Sequence, residues 1–103
     1  MDPTGSYVAT ANGPSNDACL FTYDGGLGSA TLAATVTGLA DSIGAIFHPD
    51  QNTPVVYFAN TGASPGSSTI AAFTYSGATL TPLAGSPFAT STTLAGPSGM
   101  AIK

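Results

Sequence analysis

Apolar and β-branched residues in this chain come in short runs, each closed by Gly, Pro, Asn, Asp or Ser. No segment sustains a 3.6-residue apolar period over helix length, and Pro or Gly interrupts every candidate, so the pattern predicts strands. The first strand covers Ser6–Asn12 and closes at Asn12-Gly13-Pro14, a turn on steric grounds. Ala18–Tyr23 follows and turns through Asp24-Gly25-Gly26 into Ala30–Val36, and Ile43–His48 is stopped by Pro49. Further on, Val55–Asn60, Thr69–Tyr75 and Thr79–Leu83 are expected as strands, with a turn at Ser76-Gly77. Ala84–Pro97 reads as an irregular connection and Gly99–Lys103 as a last strand. Val55-Val56-Tyr57-Phe58-Ala59 is apolar without alternation, the mark of a strand covered on both faces.

The strand order repeats. Residues 18–32 read ACLFTYDGGLGSATL and residues 70–80 read IAAFTYSGATL. Tyr7-Val8-Ala9-Thr10-Ala11-Asn12 precedes the first, and Val55-Val56-Tyr57-Phe58-Ala59-Asn60 precedes the second. Gly99-Met100-Ala101-Ile102-Lys103 matches Gly44-Ala45-Ile46-Phe47-His48, so the sequence stops out of phase with its repeat. Four strands per unit at a period of roughly 46 to 55 residues is the signature of propeller blades. A six- or seven-stranded sandwich is the competing arrangement.

Composition narrows the partners. The 103 residues allow one small domain. Charge is sparse, with one Lys, no Arg, no Glu, five Asp and a net charge of −4. Nucleic acid is disfavoured because phosphate contacts need clustered Lys and Arg, and anionic membrane surfaces are disfavoured likewise. No run approaches the ~18 apolar residues of a membrane span. Hydrophobic residues make up 43% of the chain and are grouped, which favours a folded β protein over disorder. Rich in Gly, Ser, Thr and Ala, the chain fits tightly turned extracellular or cell-surface β structure, although no signal peptide is visible. The single Cys19 has no partner for an intrachain disulfide.

His48-Pro49-Asp50, Val56-Tyr57-Phe58-Ala59-Asn60 and Ala72-Phe73-Thr74-Tyr75 together resemble the YVTN-type repeat of lactonase-like β-propellers. Leu83-Ala84-Gly85-Ser86-Pro87-Phe88-Ala89-Thr90, followed by Gly96-Pro97-Ser98-Gly99-Met100-Ala101-Ile102, resembles it too, as does Asp2-Pro3-Thr4-Gly5 before Tyr7. The resemblance implies an all-β fold of blades, each of four antiparallel strands, with about seven blades in a complete member and two here. It makes the strand before His48-Pro49-Asp50 the innermost of its blade. Residues 1–47 would then hold three outer strands of one blade plus the inner strand of the next. Residues 48–103 would hold the rest of that second blade and an inner strand for a neighbouring copy's first blade.

Such a register leaves an open edge, and open edges drive association. The expected assembly strand is Gly99, Met100, Ala101, Ile102 and Lys103, pairing with Tyr7, Val8, Ala9, Thr10 and Ala11 of another copy. That head-to-tail contact is heterologous and closes a ring or extends a filament. Three copies would give roughly six blades and four copies roughly eight, within the propeller range, and a ring is favoured.

Chemical candidates are few. His48, the one imidazole, invites a general-base or metal-ligand role, but its place before Pro49 reads as a turn residue. Cys19 lacks a second His with which to form a nucleophilic pair and reads as a small buried hydrophobe. Asp17, Asp24, Asp41 and Asp50 fit no dedicated Ca²⁺ loop, and Asp24-Gly25 is a hairpin signal. Asn12 and Asn60 end equivalent strands and read as turn residues. Gly25-Gly26-Leu27-Gly28 lacks the helix and Lys of a phosphate cradle. No catalytic, cofactor or metal residue is assigned. Tyr7, Tyr23, Tyr57 and Tyr75 raise the alternative of glycan stacking, but Tyr23 and Tyr75 hold equivalent repeat positions and read as packing between blades.

The expectation is therefore a non-enzymatic, self-assembling propeller unit that serves as a structural or interaction scaffold. The alternatives are a lectin-like propeller made multivalent by oligomerisation, and a lactonase-type hydrolase.

Overall fold

A computed structural model describes residues 1–62 and 68–89. The expected strand at Gly99–Lys103 lies outside the described residues. Among those described, the fold is all-β, with two antiparallel sheets and one short 3₁₀ turn, Gly13–Ser15. Strands β1 (Tyr7–Asn12), β2 (Asp17–Asp24) and β3 (Ser29–Thr37) form the first sheet in that order. Strands β4 (Ser42–Phe47), β5 (Val55–Asn60), β6 (Thr69–Ser76) and β7 (Thr79–Pro82) form the second. A two-residue strand, β8 (Phe88–Ala89), pairs with β6 on the same side as β7. The irregular connection expected after Ala84 therefore contains a piece of strand.

Each sheet is a meander of neighbours in sequence, and the two stack with β1 beside β4 and β3 beside β7. The core lies between them. Ala18 and Leu20 of the first sheet meet Phe47, Val56, Phe58, Ala71, Phe73 and Tyr75 of the second, with Leu39 from the crossover. Phe58 and Leu20 are fully buried, each contributing about 1.5–3 kcal/mol relative to exposure. Phe58 meets Phe73 edge-on at 5.9 Å, and Phe47 meets Tyr75 at 5.2 Å. Burial of Val55, Val56, Phe58, Ala59 and Asn60 agrees with the expectation that β5 is covered on both faces.

The internal repeat survives as register. Tyr7↔Thr22 through Asn12↔Asp17 in the first sheet corresponds to Val55↔Thr74 through Asn60↔Thr69 in the second. On the outer side, Asp24↔Ser29 and Thr22↔Thr31 correspond to Ser76↔Thr79 and Thr74↔Thr81. Asp17↔Thr37 and Ala18↔Val36 correspond to Thr69↔Ala89 and Ile70↔Phe88. Thus β7 and β8 together take the place of β3, interrupted by Leu83–Pro87. Within the interruption Leu83 N–H donates to Ala72 O at 2.9 Å, and Ala72 N–H donates to Ser86 Oγ at 2.9 Å. The interruption therefore leaves the ladder of the buried Ala72 satisfied.

Side chains repeat with the backbone. Asn12 Nδ2 donates to Asp17 Oδ1 at 2.7 Å, and Asn60 Nδ2 donates to Thr69 Oγ1 at 3.1 Å. Thr22 Oγ1 reaches Thr31 O, and Thr74 Oγ1 reaches Thr81 O, both at 3.4 Å. The two asparagines read from sequence as turn residues thus tie neighbouring strand ends together.

Candidate functional site

The expected assembly strip, Tyr7, Val8, Ala9, Thr10 and Ala11, lies on β1, an edge strand among the described residues. Its start is capped by Asp2, whose N–H donates to Tyr7 O at 2.9 Å and whose Oδ1 accepts from Tyr7 N–H at 2.8 Å. Tyr7 therefore directs both backbone groups away from β2. Tyr23 N–H bonds Ser6 O on the other side. Antiparallel ladders alternate, so Ala9 and Ala11 also turn their N–H and C=O to the open edge.

Asp2 organises the turn Asp2-Pro3-Thr4-Gly5. Its carboxylate also accepts from Ser6 N–H at 2.8 Å and from the Thr4 hydroxyl at 2.6 Å, and it is only 4% exposed. Burial pushes this carboxyl up, but the Thr4 hydroxyl and the N–H groups of Tyr7, Ser6 and Thr4 together hold it below its ordinary value of 3.8. Across the inter-sheet boundary, Tyr75 Oη donates to Asp2 Oδ2 at 3.3 Å. Burial, followed by the neighbouring Asp2 charge, pushes the Tyr75 phenol up to about 12. The rings of Tyr7 and Tyr75 meet edge-on at 5.0 Å, and Gly77 N–H donates to Tyr7 Oη at 3.0 Å. Tyr7 and Tyr75 are thus spent on joining the sheets.

His48 holds the matching place in the second sheet. His48 N–H donates to Val55 O at 2.8 Å, as Asp2 does to Tyr7, and His48 Nδ1 accepts from Asp50 N–H at 3.2 Å. This is a turn role, in line with the reading of its place before Pro49. Asn52 N–H donates to Asp50 Oδ1 at 2.9 Å and holds that exposed carboxyl below its ordinary value.

Cys19 is a correction. It is half-buried on the opposite face of β2 from Ala18 and Leu20, outside the core, beside Asn12 Nδ2 at 3.5 Å and Thr35 Oγ1 at 3.7 Å. Strand alternation decides this, since neighbours of core residues point away from the core.

The aspartates are dispersed among separate turns, and among the described residues no three His, Cys, Asp or Glu side chains gather as metal ligands. Asp24 Oδ1 accepts from Gly26 and Leu27 N–H in its hairpin, as the Asp24-Gly25 signal predicts. Asp41 knits the crossover to the β5 end. It has a positive φ of 55°, its N–H donates to Asn16 Oδ1 at 2.9 Å, and Thr61 Oγ1 donates to its Oδ2 at 2.7 Å. Gly13 lies so close that a Cβ there would come 2.5 Å from Asp41 Oδ1.

A cleft of about 420 Å³ opens between the sheets, lined by Val36, Leu39, Asn60, Ala71, Phe73 and Pro82 among others. Its size falls within the ligand-pocket range, but among the described residues no charged side chain lines it. Asn60 Oδ1 and Ser42 Oγ, on paired residues of β5 and β4, are buried without hydrogen-bond partners among the described residues. No local sequence pattern signals these orphans or the contact of Asp2 with Tyr75, because each depends on contacts between distant segments.

No described helix is long and apolar enough to cross a membrane. Compared with family models, curated proteins and solved structures, the chain finds no match in any of the three.

Proposed function

We propose that the chain is a non-enzymatic β-propeller repeat unit of the YVTN type that associates head to tail with further copies of itself and serves as a structural or interaction scaffold. On this reading β1–β3 are outer strands of one blade and β4–β7, with β8, are a second blade. As expected from sequence, residues 1–47 then hold the outer strands of the first blade plus β4 as the inner strand of the second, and residues 48–103 hold the rest of the second blade plus an inner strand for a neighbouring copy.

One observation carries the proposal: the two sheets repeat each other's register while packing through opposite faces. The core face of the first sheet, with Tyr7, Ala9, Ala18 and Leu20, corresponds to the far face of the second, with Val55, Tyr57, Ile70 and Ala72. The far face of the first, with Val8, Cys19, Phe21 and Tyr23, corresponds to the core face of the second, with Val56, Ala71, Phe73 and Tyr75. A contact built this way is heterologous, and repeating it adds unit after unit. The open edge of β1 supplies a place for a strand with the sequence of Gly99–Lys103, since β4, which that sequence resembles, lies along the matching edge of β5.

The test is the mass of the purified chain in solution by light scattering. A ring of three or four copies gives about 30 or 40 kDa against 10.0 kDa for one chain, and a filament gives a broad, concentration-dependent mass. A stable, folded monomer at high concentration overturns the proposal.

The glycan reading loses support because the hydroxyls of Tyr7 and Tyr75 are engaged between the sheets. For a lactonase-type reaction, His48 would have to act from a turn in which its Nδ1 already accepts a backbone N–H.

A further inference from the structure

We infer that His48 of one copy meets the Tyr23 hydroxyl of the next, and that this pair is the copy-to-copy counterpart of the Asp2–Tyr75 bond within the chain. The inference rests on the proposed head-to-tail association and specifies its contact.

Two correspondences define the pair. Asp2 and His48 occupy matching turns: each donates its N–H to the carbonyl of the first residue of the following strand, Tyr7 or Val55. Each also accepts, through its side chain, the N–H of the residue two positions on, Thr4 or Asp50. Tyr23 and Tyr75 match on the partner side. Tyr23 N–H donates to Ser6 O and Tyr75 N–H to Pro54 O, at 2.8 and 3.0 Å, and both open hairpins that close with paired Thr residues.

Within the chain, the turn residue of the first sheet meets the tyrosine of the second, Tyr75 Oη to Asp2 Oδ2. Continuing that interface to another copy brings the turn residue of its second sheet, His48, to the tyrosine of the next first sheet, Tyr23. Tyr23 is half-buried on the face of β2 away from the core, and its hydroxyl makes no hydrogen bond among the described residues.

The chemistry changes with the residue. Nδ1 of His48 is occupied as an acceptor, so the neutral ring carries its proton on Nε2 and donates to the Tyr23 oxygen. In the Asp2 case the phenol is instead the donor. The second bridge of the internal interface, Gly77 N–H to Tyr7 Oη, has no counterpart, because Val55 stands where Tyr7 would. Of the two polar bridges of the internal interface, the His48–Tyr23 pair is therefore the one that the copy-to-copy contact retains, and its loss weakens association.

The experiment measures self-association by sedimentation equilibrium for the full chain and for Tyr23→Phe, His48→Ala and the double variant, with circular dichroism as the check on folding. Each single change is expected to weaken association about tenfold, and the double change no more than either single one. His48→Asp keeps the turn acceptor, as Asp2 does, and should associate like the parent, with its advantage removed by Tyr23→Phe. Should His48→Ala fold poorly, the comparison of His48→Asp with His48→Asp/Tyr23→Phe decides alone. Association that is indifferent to Tyr23→Phe, or losses that simply add in the double variant, overturn this contact while leaving self-assembly standing. A parent chain that stays monomeric overturns both.

Discussion

Tyr75 Oη donates to Asp2 Oδ2 at 3.3 Å, joining the first turn of the chain to a strand 73 positions away. Because Asp2 also satisfies Ser6 and Tyr7 N–H, one carboxylate fixes the N-terminal turn and the contact between the sheets together. Asp2→Ala is expected to destabilise the fold by about 2–3 kcal/mol in urea unfolding, since it strands the buried Tyr75 hydroxyl and the part-buried N–H groups of Ser6 and Tyr7. Acid should act through the same group. Its carboxyl titrates below its ordinary 3.8 in the folded state, so its contribution is complete above that value and fades as pH falls through and below it. Acid unfolding curves of the parent and of Asp2→Ala should accordingly converge at low pH. Curves that stay parallel would contradict this.

Tyr75 supplies an independent check in base. Its phenol is raised to about 12, so the folded chain holds this proton longer than the unfolded one, and the contribution to stability is lost as pH climbs from about 10 toward 12. Ultraviolet titration should show one of the four tyrosines ionising last. In Tyr75→Phe that late step should vanish, with a stability cost of about 1 kcal/mol at neutral pH.

Ser42 leads to an expectation of the opposite sign. Among the described residues its hydroxyl is buried without a hydrogen-bond partner, so Ser42→Ala removes a desolvated polar group and almost no packing. Stability should be unchanged or rise by up to about 1 kcal/mol. A loss comparable to that of Asp2→Ala would show that the hydroxyl is satisfied.

Ser86 closes the gap between β7 and β8 by accepting Ala72 N–H. Ser86→Ala should cost about 1–2 kcal/mol by orphaning a donor of a fully buried residue, and Ala72 should lose protection from hydrogen exchange first among β6 amides.

Strands were legible where composition and alternation agreed, and Val55–Asn60 has the bounds that its unbroken apolar run predicts. β2 and β3 run a residue further at each end than expected, because the ladder continues into polar Asp17, Asp24, Ser29 and Thr37. β8 escaped notice since two residues beyond a Gly- and Pro-containing loop carry no period, and only β6 across from them makes them a strand. Asp2 stands out in the sequence only as part of the motif Asp2-Pro3-Thr4-Gly5, whose turn it organises. Its second role needs Tyr75, and no local pattern encodes a partner that far along the chain. Cys19 was misplaced because its apolar neighbours suggested burial, whereas its side of β2 is set by Leu20 and Ala18.

The hairpins β2–β3 and β6–β7 differ in the tip yet pair alike: Gly25 to Gly28 bridge the first, Gly77 and Ala78 the second. Length at the tip is thus decoupled from the strand pairing below it. A peptide tag or epitope spliced between Gly26 and Leu27, both exposed, should be displayed without disturbing the sheets, which makes this tip a natural grafting position.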